Sequence, residues 1–112
     1  MKPELQRIKI AEACGWTFVN RVDKFPHGLP PEGRIHRYTI PLPDYLNDLN
    51  AMHEAEKVLN IDQKLQYVEM LRSIKGPVSR DRTPVTWIYA HLATAAQRAE
   101  AFLRTLNLWE NP

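Results

Sequence analysis

Two basic groups are the residues best suited to chemistry in this chain of 112 residues. The first group is Arg34, His36 and Arg37, and the second is Lys75, Arg80 and Arg82. Arginine suits phosphate because its planar guanidinium can donate hydrogen bonds to two oxygens at once. The two groups therefore predict a site for a small anionic ligand such as a nucleotide. The alternative is that these side chains are only solvated.

Aromatic side chains could supply the second half of a nucleotide site, because every nucleobase has a π-face on which an aromatic ring can stack. The candidates are Trp16, Tyr38, Trp87 and Tyr89. We assign Trp87 to the predicted site. Side chains alternate along a strand, so one of Trp87 and Ile88 must face the core and the other need not. The alternative is that the aromatic residues belong to the core.

Patterns that would indicate a metal site or a phosphate loop are incomplete. Residues 53–57 read His-Glu-Ala-Glu-Lys, so Lys57 stands where a zinc-binding helix needs its second histidine. The other histidines, His27, His36 and His91, show no ligand spacing. The glycines are too far apart for a phosphate-binding loop. We expect no metal and no cofactor.

Nucleophilic and acid–base catalysis also lack a motif. Cys14 lies at the end of a predicted helix, where the helix dipole raises the pKa of a thiol, and a small buried core residue is the simpler interpretation. Glu54 and Glu56 are two positions apart, so on a helix they point to different sides and cannot act as a pair. The sequence predicts a protein that is not an enzyme.

Four helices are predicted around these residues. Pro3 suits a first helical position and Gly15 a stop, which predicts a helix over 3–14. A second helix begins at Asn47 or Asp48 and runs to about residue 60, with Leu49, Met52, Ala55 (or Glu56) and Leu59 inside. Asp62 is expected to cap a third helix with Leu65, Val68, Leu71 and Ile74 inside. Thr94 and Gln97 form a capping box that opens a last helix to about residue 106, with Ala95, Ala99, Phe102, Leu103 and Leu106 inside.

Three strands complete the prediction, over residues 16–22, 34–40 and 85–89. Prolines make the stretch from about 23 to 44 a long connection around the second strand. The order α-β-β-α-α-β-α predicts a single α+β domain over 1–112, with a small antiparallel or mixed sheet of about three strands sandwiched by helices.

Composition and charge indicate the protein class, the cellular compartment and the partners of such a domain. Residues are 44% hydrophobic and 25% charged, as in ordinary globular proteins, and no apolar run is long enough to span a membrane. One cysteine excludes an internal disulfide and fits a reducing compartment. Residues 44–62 carry a net charge of −4 and residues 72–82 a net charge of +3. This asymmetry favours a homo-oligomer, a small-anion site at the basic segment, or both.

Three segments resemble the phage ABA-sandwich family, small accessory proteins encoded by tailed phages. They are a first helix ending in Ala13-Cys14-Gly15-Trp16, residues 45–57 beginning Tyr-Leu-Asn-Asp-Leu, and a closing helix over residues 93–103 beginning Ala-Thr-Ala-Ala-Gln. Together they cover about a third of the chain and occur in the family's order. The resemblance implies a helix–sheet–helix sandwich and a phage accessory protein acting in the host bacterial cytoplasm. It implies no catalytic residues.

Taken together, the residues and the resemblance predict a non-enzymatic counter-defence protein that sequesters a small anionic host molecule, such as a cyclic nucleotide immune signal, as a homo-oligomer. An adaptor or inhibitor that binds a host protein is the alternative. Direct DNA binding is weaker, because the second helix is acidic and the last carries only Arg98 and Arg104. We expect no membrane partner.

Overall fold

Four helices and one short hairpin-like sheet make up the part of the chain that the structure, a computed structural model, describes: residues 1–19, 26–31, 39–75 and 93–111. The helices are α1 Pro3–Ala13, α2 Leu49–Glu56, α3 Ile61–Lys75 and α4 Ala95–Thr105, and the strands are β1 His27–Gly28 and β2 Ile40–Pro41. This order confirms an α+β chain. The predicted strand 85–89 lies outside the described residues, so the described sheet has two strands.

Helix α1 begins and ends as the sequence predicts. Pro3 takes a first position, where no backbone N–H is needed. At the other end Gly15 has a φ of 97°, its N–H donates to the carbonyl of Glu12, and the N–H of Trp16 donates to that of Ala11. These two bonds form a Schellman motif, which glycine favours because it has no Cβ.

The sheet coincides with the predicted strands only at Ile40, the last residue of the predicted strand 34–40, whose residues 34–38 lie outside the described part of the chain. In β1 and β2, His27 lies opposite Pro41 and Gly28 opposite Ile40, in antiparallel order. The first strand thus falls within the predicted connection, and Pro41, expected to end a strand, takes part in one. Proline is tolerated there because this short strand lies at a sheet edge.

The described part of the predicted strand 16–22 is not a regular strand. Only Thr17 makes a bridge, exchanging two backbone hydrogen bonds with Leu29, and Phe18 has a φ of 51°. That left-handed conformation breaks the alternation of an extended chain, and leaves Phe18 on the surface. The prediction was therefore wrong for residues 16–19.

Helix α2 starts as predicted and ends earlier. The Asp48 carboxylate accepts from the backbone N–H of Asn50 at 2.9 Å and caps the helix. Its last residue is Glu56 rather than residue 60. Met52, Ala55 and Leu59 are buried as expected, whereas Leu49 is exposed.

Helix α3 departs from the prediction at its start and in its buried face. Asn60, not Asp62, forms the cap: its side chain accepts from Gln63 N–H, and Gln63 Oε1 accepts from Asn60 N–H. Tyr67 and Leu71 are buried, with Met70 and Ile74 partly so, while Leu65 and Val68 are exposed. The burial of Tyr67 rotates the helix relative to the predicted face.

Helix α4 is the centre of the described core and packs against α1, α2 and α3. Ala99, Ala101, Phe102 and Leu103 are fully buried. Both bonds of the predicted Thr94–Gln97 capping box are present. Asn107, with a φ of 59°, closes the helix in a second Schellman motif through Asn107 N to Arg104 O and Leu108 N to Leu103 O.

Candidate functional site

The residues predicted to bind an anion lie almost entirely outside the described part of the chain. Arg34, His36 and Arg37 belong to the stretch 32–38, and Arg80, Arg82 and Trp87 to the stretch 76–92. Lys75 is the last residue of α3, and its side chain is not described. The described residues therefore do not test whether these side chains come together in one site.

The described residues form a different candidate, a cleft of about 440 Å³ between the end of α1, the sheet and α2. We call it the Trp16 cleft. Its lining is mostly aromatic, proline and aliphatic: Cys14, Trp16, Pro30, Pro31, Ile40, Pro43, Tyr45, Ala51, Glu54, Ala55, Lys57 and Val58. A volume of this size and an apolar lining with few polar groups are typical of small-molecule sites.

Backbone geometry brings the walls of the Trp16 cleft together. The Schellman turn at Gly15 reverses the chain, so that Cys14 and Trp16 stand on either side of it. A Cβ at Gly15 would lie 3.0 Å from the Cβ of Pro31, which shows how closely the proline wall approaches this turn. The Thr17–Leu29 bridge then leads directly into Pro30 and Pro31.

Arg7 holds the opposite wall from within α1. Its Nε donates to the carbonyl of Pro43 at 2.8 Å, and its Nη2 donates to the carbonyl of Leu42. These bonds fix the residues after β2, which place Tyr45 against the end of α1. The Arg7 guanidinium therefore stabilises the fold behind the cleft by binding two backbone carbonyls.

Three polar side chains meet at the cleft wall. Side-chain hydrogen bonds join Tyr45 to both Trp16 and Cys14. Since an indole N–H can only donate, Trp16 donates to the phenol oxygen of Tyr45. Burial raises the pKa of Tyr45, and the neighbouring Cys14 raises it further, so the phenol stays neutral.

The Cys14 thiol is protonated at neutral pH. Burial raises its pKa from 9.0 to about 11, against a smaller lowering by the hydrogen bond with Tyr45. The thiolate is the nucleophilic form, so this environment suppresses the reactivity of the sulfur. Cys14 is partly rather than fully buried, and it lines the cleft instead of filling the core.

An exposed ion pair sits at the rim of the cleft. Lys57 Nζ lies 2.8 Å from Glu54 Oε1, and both side chains are about 70% exposed (70% and 72%). Such a pair contributes little to stability and can rearrange at small cost. The cleft therefore combines a neutral interior with one exposed charge of each sign at its edge.

Glu56, two positions from Glu54, points to the other side of α2, as the sequence predicts. Its Oε1 accepts from the Tyr67 hydroxyl at 3.0 Å and from Arg98 Nη1 at 3.1 Å, and its Oε2 lies 3.6 Å from His53 Nδ1. We call Glu56, Tyr67 and Arg98 the buried network. It joins α2, α3 and α4, and burial together with the Glu56 charge raises the pKa of Tyr67.

The buried network is a structural device rather than a ligand site. The Arg98 side chain is only 7% exposed, and its Nε also donates to the carbonyl of Ala93 at 3.2 Å. Within the described ranges no buried side-chain nitrogen or oxygen lacks a hydrogen-bond partner. Each buried polar atom of the network is therefore already bonded within the protein.

Sequence reasoning named Trp16 as a stacking candidate but did not find the cleft. In the sequence, the prolines of its wall indicate only a long connection, and Tyr45 is only part of a resemblance. A local signal was present: Gly15 followed by Trp16 indicates a sharp turn that exposes an indole. The partners of that indole come from segments 14 to 42 residues further along the chain.

Two further findings concern the described residues as a whole. No group of three metal-ligating side chains lies together among them, and none of their helices is long and apolar enough to cross a membrane. No family model, curated protein or solved structure significantly matches this chain.

Proposed function

We propose that this protein binds and sequesters a small ligand that carries an aromatic ring and a phosphate, without converting it chemically. The observation that carries the proposal is the Trp16 cleft, an apolar and aromatic space of about 440 Å³ with a neutral, hydrogen-bonded wall. Stacking on an indole and contact with proline rings both stabilise a bound aromatic ring. The nearest ligand class is a nucleotide.

The binding chemistry follows from the protonation states in the cleft. A neutral thiol and a neutral phenol do not attack a phosphate or a base, and they do not repel one. A ring that enters the cleft replaces water on Trp16 and on the proline wall, and this burial stabilises the complex. The ligand then leaves unchanged.

The phosphate contacts are proposed to come from the first basic group. The stretch 32–38, which carries Arg34, His36 and Arg37, is covalently joined to the cleft on both sides, since Pro31 precedes it and Ile40 lies two residues after it. Arg34 and Arg37 each stand three positions along the sequence from a cleft residue, Pro31 and Ile40 respectively. This short separation in sequence supports the assignment of the phosphate contacts to their side chains.

The biological setting is proposed from the resemblance to the phage ABA-sandwich family. A phage accessory protein that binds a nucleotide in the host bacterial cytoplasm would act against a nucleotide immune signal by lowering its free concentration. Sequestration requires only affinity and abundance, which fits a small chain whose described residues present a cleft and an unreactive thiol.

The test is a binding survey with linear and cyclic nucleotides, read by native mass spectrometry and by calorimetry. We expect one adduct per cleft for at least one nucleotide. Ala51→Trp places an indole in the cleft and should weaken binding at least tenfold. Leu49→Trp is the matched control, because Leu49 is an exposed residue on the same helix that does not line the cleft.

A second pair of variants tests the phosphate contacts. Arg34→Ala with Arg37→Ala should weaken binding at least tenfold and flatten its salt dependence, whereas Lys2→Ala, which changes the exposed basic N-cap residue of α1, should not. Wild-type affinity in Ala51→Trp would refute the cleft as the site. No adduct with any nucleotide would refute the ligand class and favour the adaptor or inhibitor of a host protein.

A further inference from the structure

Helix α3 carries a second apolar face that the described fold does not use. Ile61, Leu65 and Val68 are 71%, 63% and 40% exposed, although Tyr67 and Leu71 of the same helix are buried. We call Ile61, Leu65 and Val68 the α3 stripe. Single exposed apolar residues are ordinary on protein surfaces, but three aligned along one helix are a contiguous patch.

The spacing of the α3 stripe is that of a helix–helix seam. Its residues are separated by four and then three positions, which are the d, a and d positions of a heptad. Residues three and four apart lie above one another on a helix, so the stripe forms a continuous ridge of apolar side chains along α3. A ridge of leucine, isoleucine and valine fits the groove of another helix better than it fits a small ligand.

Charges flank the α3 stripe with opposite signs on its two sides. Lys64 occupies the g position on one side, and Asp62 and Glu69 occupy e positions on the other. Between two parallel helices a g residue faces the e residue five positions later in the partner, so Lys64 would meet Glu69 of the partner subunit, twice by symmetry. Between antiparallel helices like charges would meet on both sides.

We propose that two copies of this chain associate through the α3 stripe, with their α3 helices parallel about a two-fold axis. In a two-fold symmetric pair, the basic side of one stripe meets the acidic side of the other on both edges of the interface, because the same surface patch is self-complementary. The proposal stands apart from ligand binding, since the Trp16 cleft is lined by α1, α2 and the sheet region and by none of the stripe residues.

The stripe also sets a limit on affinity. The next a position is Arg72, whose Nη1 lies 3.9 Å from Glu69 Oε2 in its own helix. In a parallel dimer the two Arg72 residues would approach each other and end the seam after three apolar layers. A small interface of this kind gives a weak dimer, with a dissociation constant on the order of 10–100 μM.

Sedimentation velocity from about 5 μM to 1 mM tests the association. We expect a concentration-dependent monomer–dimer equilibrium for the wild type. Leu65→Glu should leave only monomer, and Leu49→Glu, a matched change of an exposed leucine on α2, should dimerise normally. Thermal melts of both variants in dilute solution check that each still folds.

Charge exchange tests the parallel arrangement. Lys64→Glu should weaken the dimer about tenfold, and adding Glu69→Lys in the same chain should restore it. Arg72→Leu should tighten the dimer at least tenfold by extending the seam. If Lys64→Glu instead tightens the dimer, the parallel arrangement is refuted. A wild type that stays monomeric at 1 mM refutes the second copy as the occupant and leaves residues 76–92 or a host protein to cover the stripe.

Discussion

Helix α2 separates two regions that treat their polar groups in opposite ways. On one side, Glu56 accepts hydrogen bonds from Tyr67 and Arg98, which come from two other helices. On the other side, Glu54 pairs only with Lys57 in its own helix and leaves the Trp16 cleft open. The first region uses polar groups to join elements, and the second keeps its polar groups local and its apolar walls free.

The difference shows how one short helix can serve stability and binding together. A buried charge must be paired by the fold, because leaving it alone in a low-dielectric interior is costly. An exposed pair carries no such requirement. The region that holds the fold together is therefore fully satisfied, and the region next to it retains surface for a ligand.

The sharpest test of this comparison replaces the two glutamates in turn. Glu56→Ala should lower the free energy of unfolding by about 3 kcal/mol, because it leaves the nearly buried Arg98 without its carboxylate. Glu54→Ala should change it by less than about 0.5 kcal/mol. Urea denaturation at pH 7 measures both, and equal effects would contradict the division into two regions.

The second test compares the room around a buried alanine of the core with that around an alanine that lines the Trp16 cleft. Ala99 on α4 is fully buried in packed core, so Ala99→Leu should cost about 2 kcal/mol through overpacking. Ala51 borders the Trp16 cleft, where the three further carbon atoms of a leucine have room, so Ala51→Leu should cost less than about 1 kcal/mol. Thermal denaturation of the two variants compares them directly, and a larger loss in Ala51→Leu would show that the cleft is closed.

The smallest expected effect is a dependence on pH at the cleft wall. The folded state holds the pKa of Cys14 at about 11 against 9.0 in the unfolded chain, so it favours the neutral thiol. That contribution is complete below pH 9 and is lost as pH rises towards 11. Partial solvent contact reduces it to about 1–2 kcal/mol.

Denaturation of the wild type and Cys14→Ala at pH 8 and pH 10.5 isolates this term. The wild type should lose about 1 kcal/mol more than the variant over that range. Alkylation by iodoacetamide at pH 8 should also be about 100-fold slower in the folded than in the unfolded protein, because the thiolate fraction falls with each unit of pKa. Rapid alkylation of the folded protein would show that the thiol is not held neutral.

Helix ends were the most predictable part of the fold. Pro3, Gly15, Asp48 and the Thr94–Gln97 pair all act as their residue types predict. Each of these signals operates within one helical turn, through a side chain and a backbone group a few residues apart. No distant contact is needed to read them.

Helix faces and strand pairs were less predictable. Leu65 and Val68 fit an apolar stripe as well as Tyr67 and Met70 do, and the sequence favours the aliphatic pair. The structure can bury Tyr67 because its hydroxyl donates a hydrogen bond to Glu56 of α2. Arg98 of α4 pairs with the same carboxylate oxygen. The pairing of His27–Gly28 with Ile40–Pro41 likewise depends on where α1 ends and how Arg7 holds residues 42 and 43.

The sequence by itself determined that this is an α+β chain, where α1 begins and ends, where α2 and α4 begin, and that Glu54 and Glu56 point to different sides of α2. Only the tertiary structure decided which apolar residues of α3 face the core, which residues pair as strands, and that Trp16, Tyr45 and the prolines enclose a cleft. The physical reason is range. Capping and helical periodicity act over a few residues, whereas burial and cleft formation depend on groups that meet only after the chain has folded.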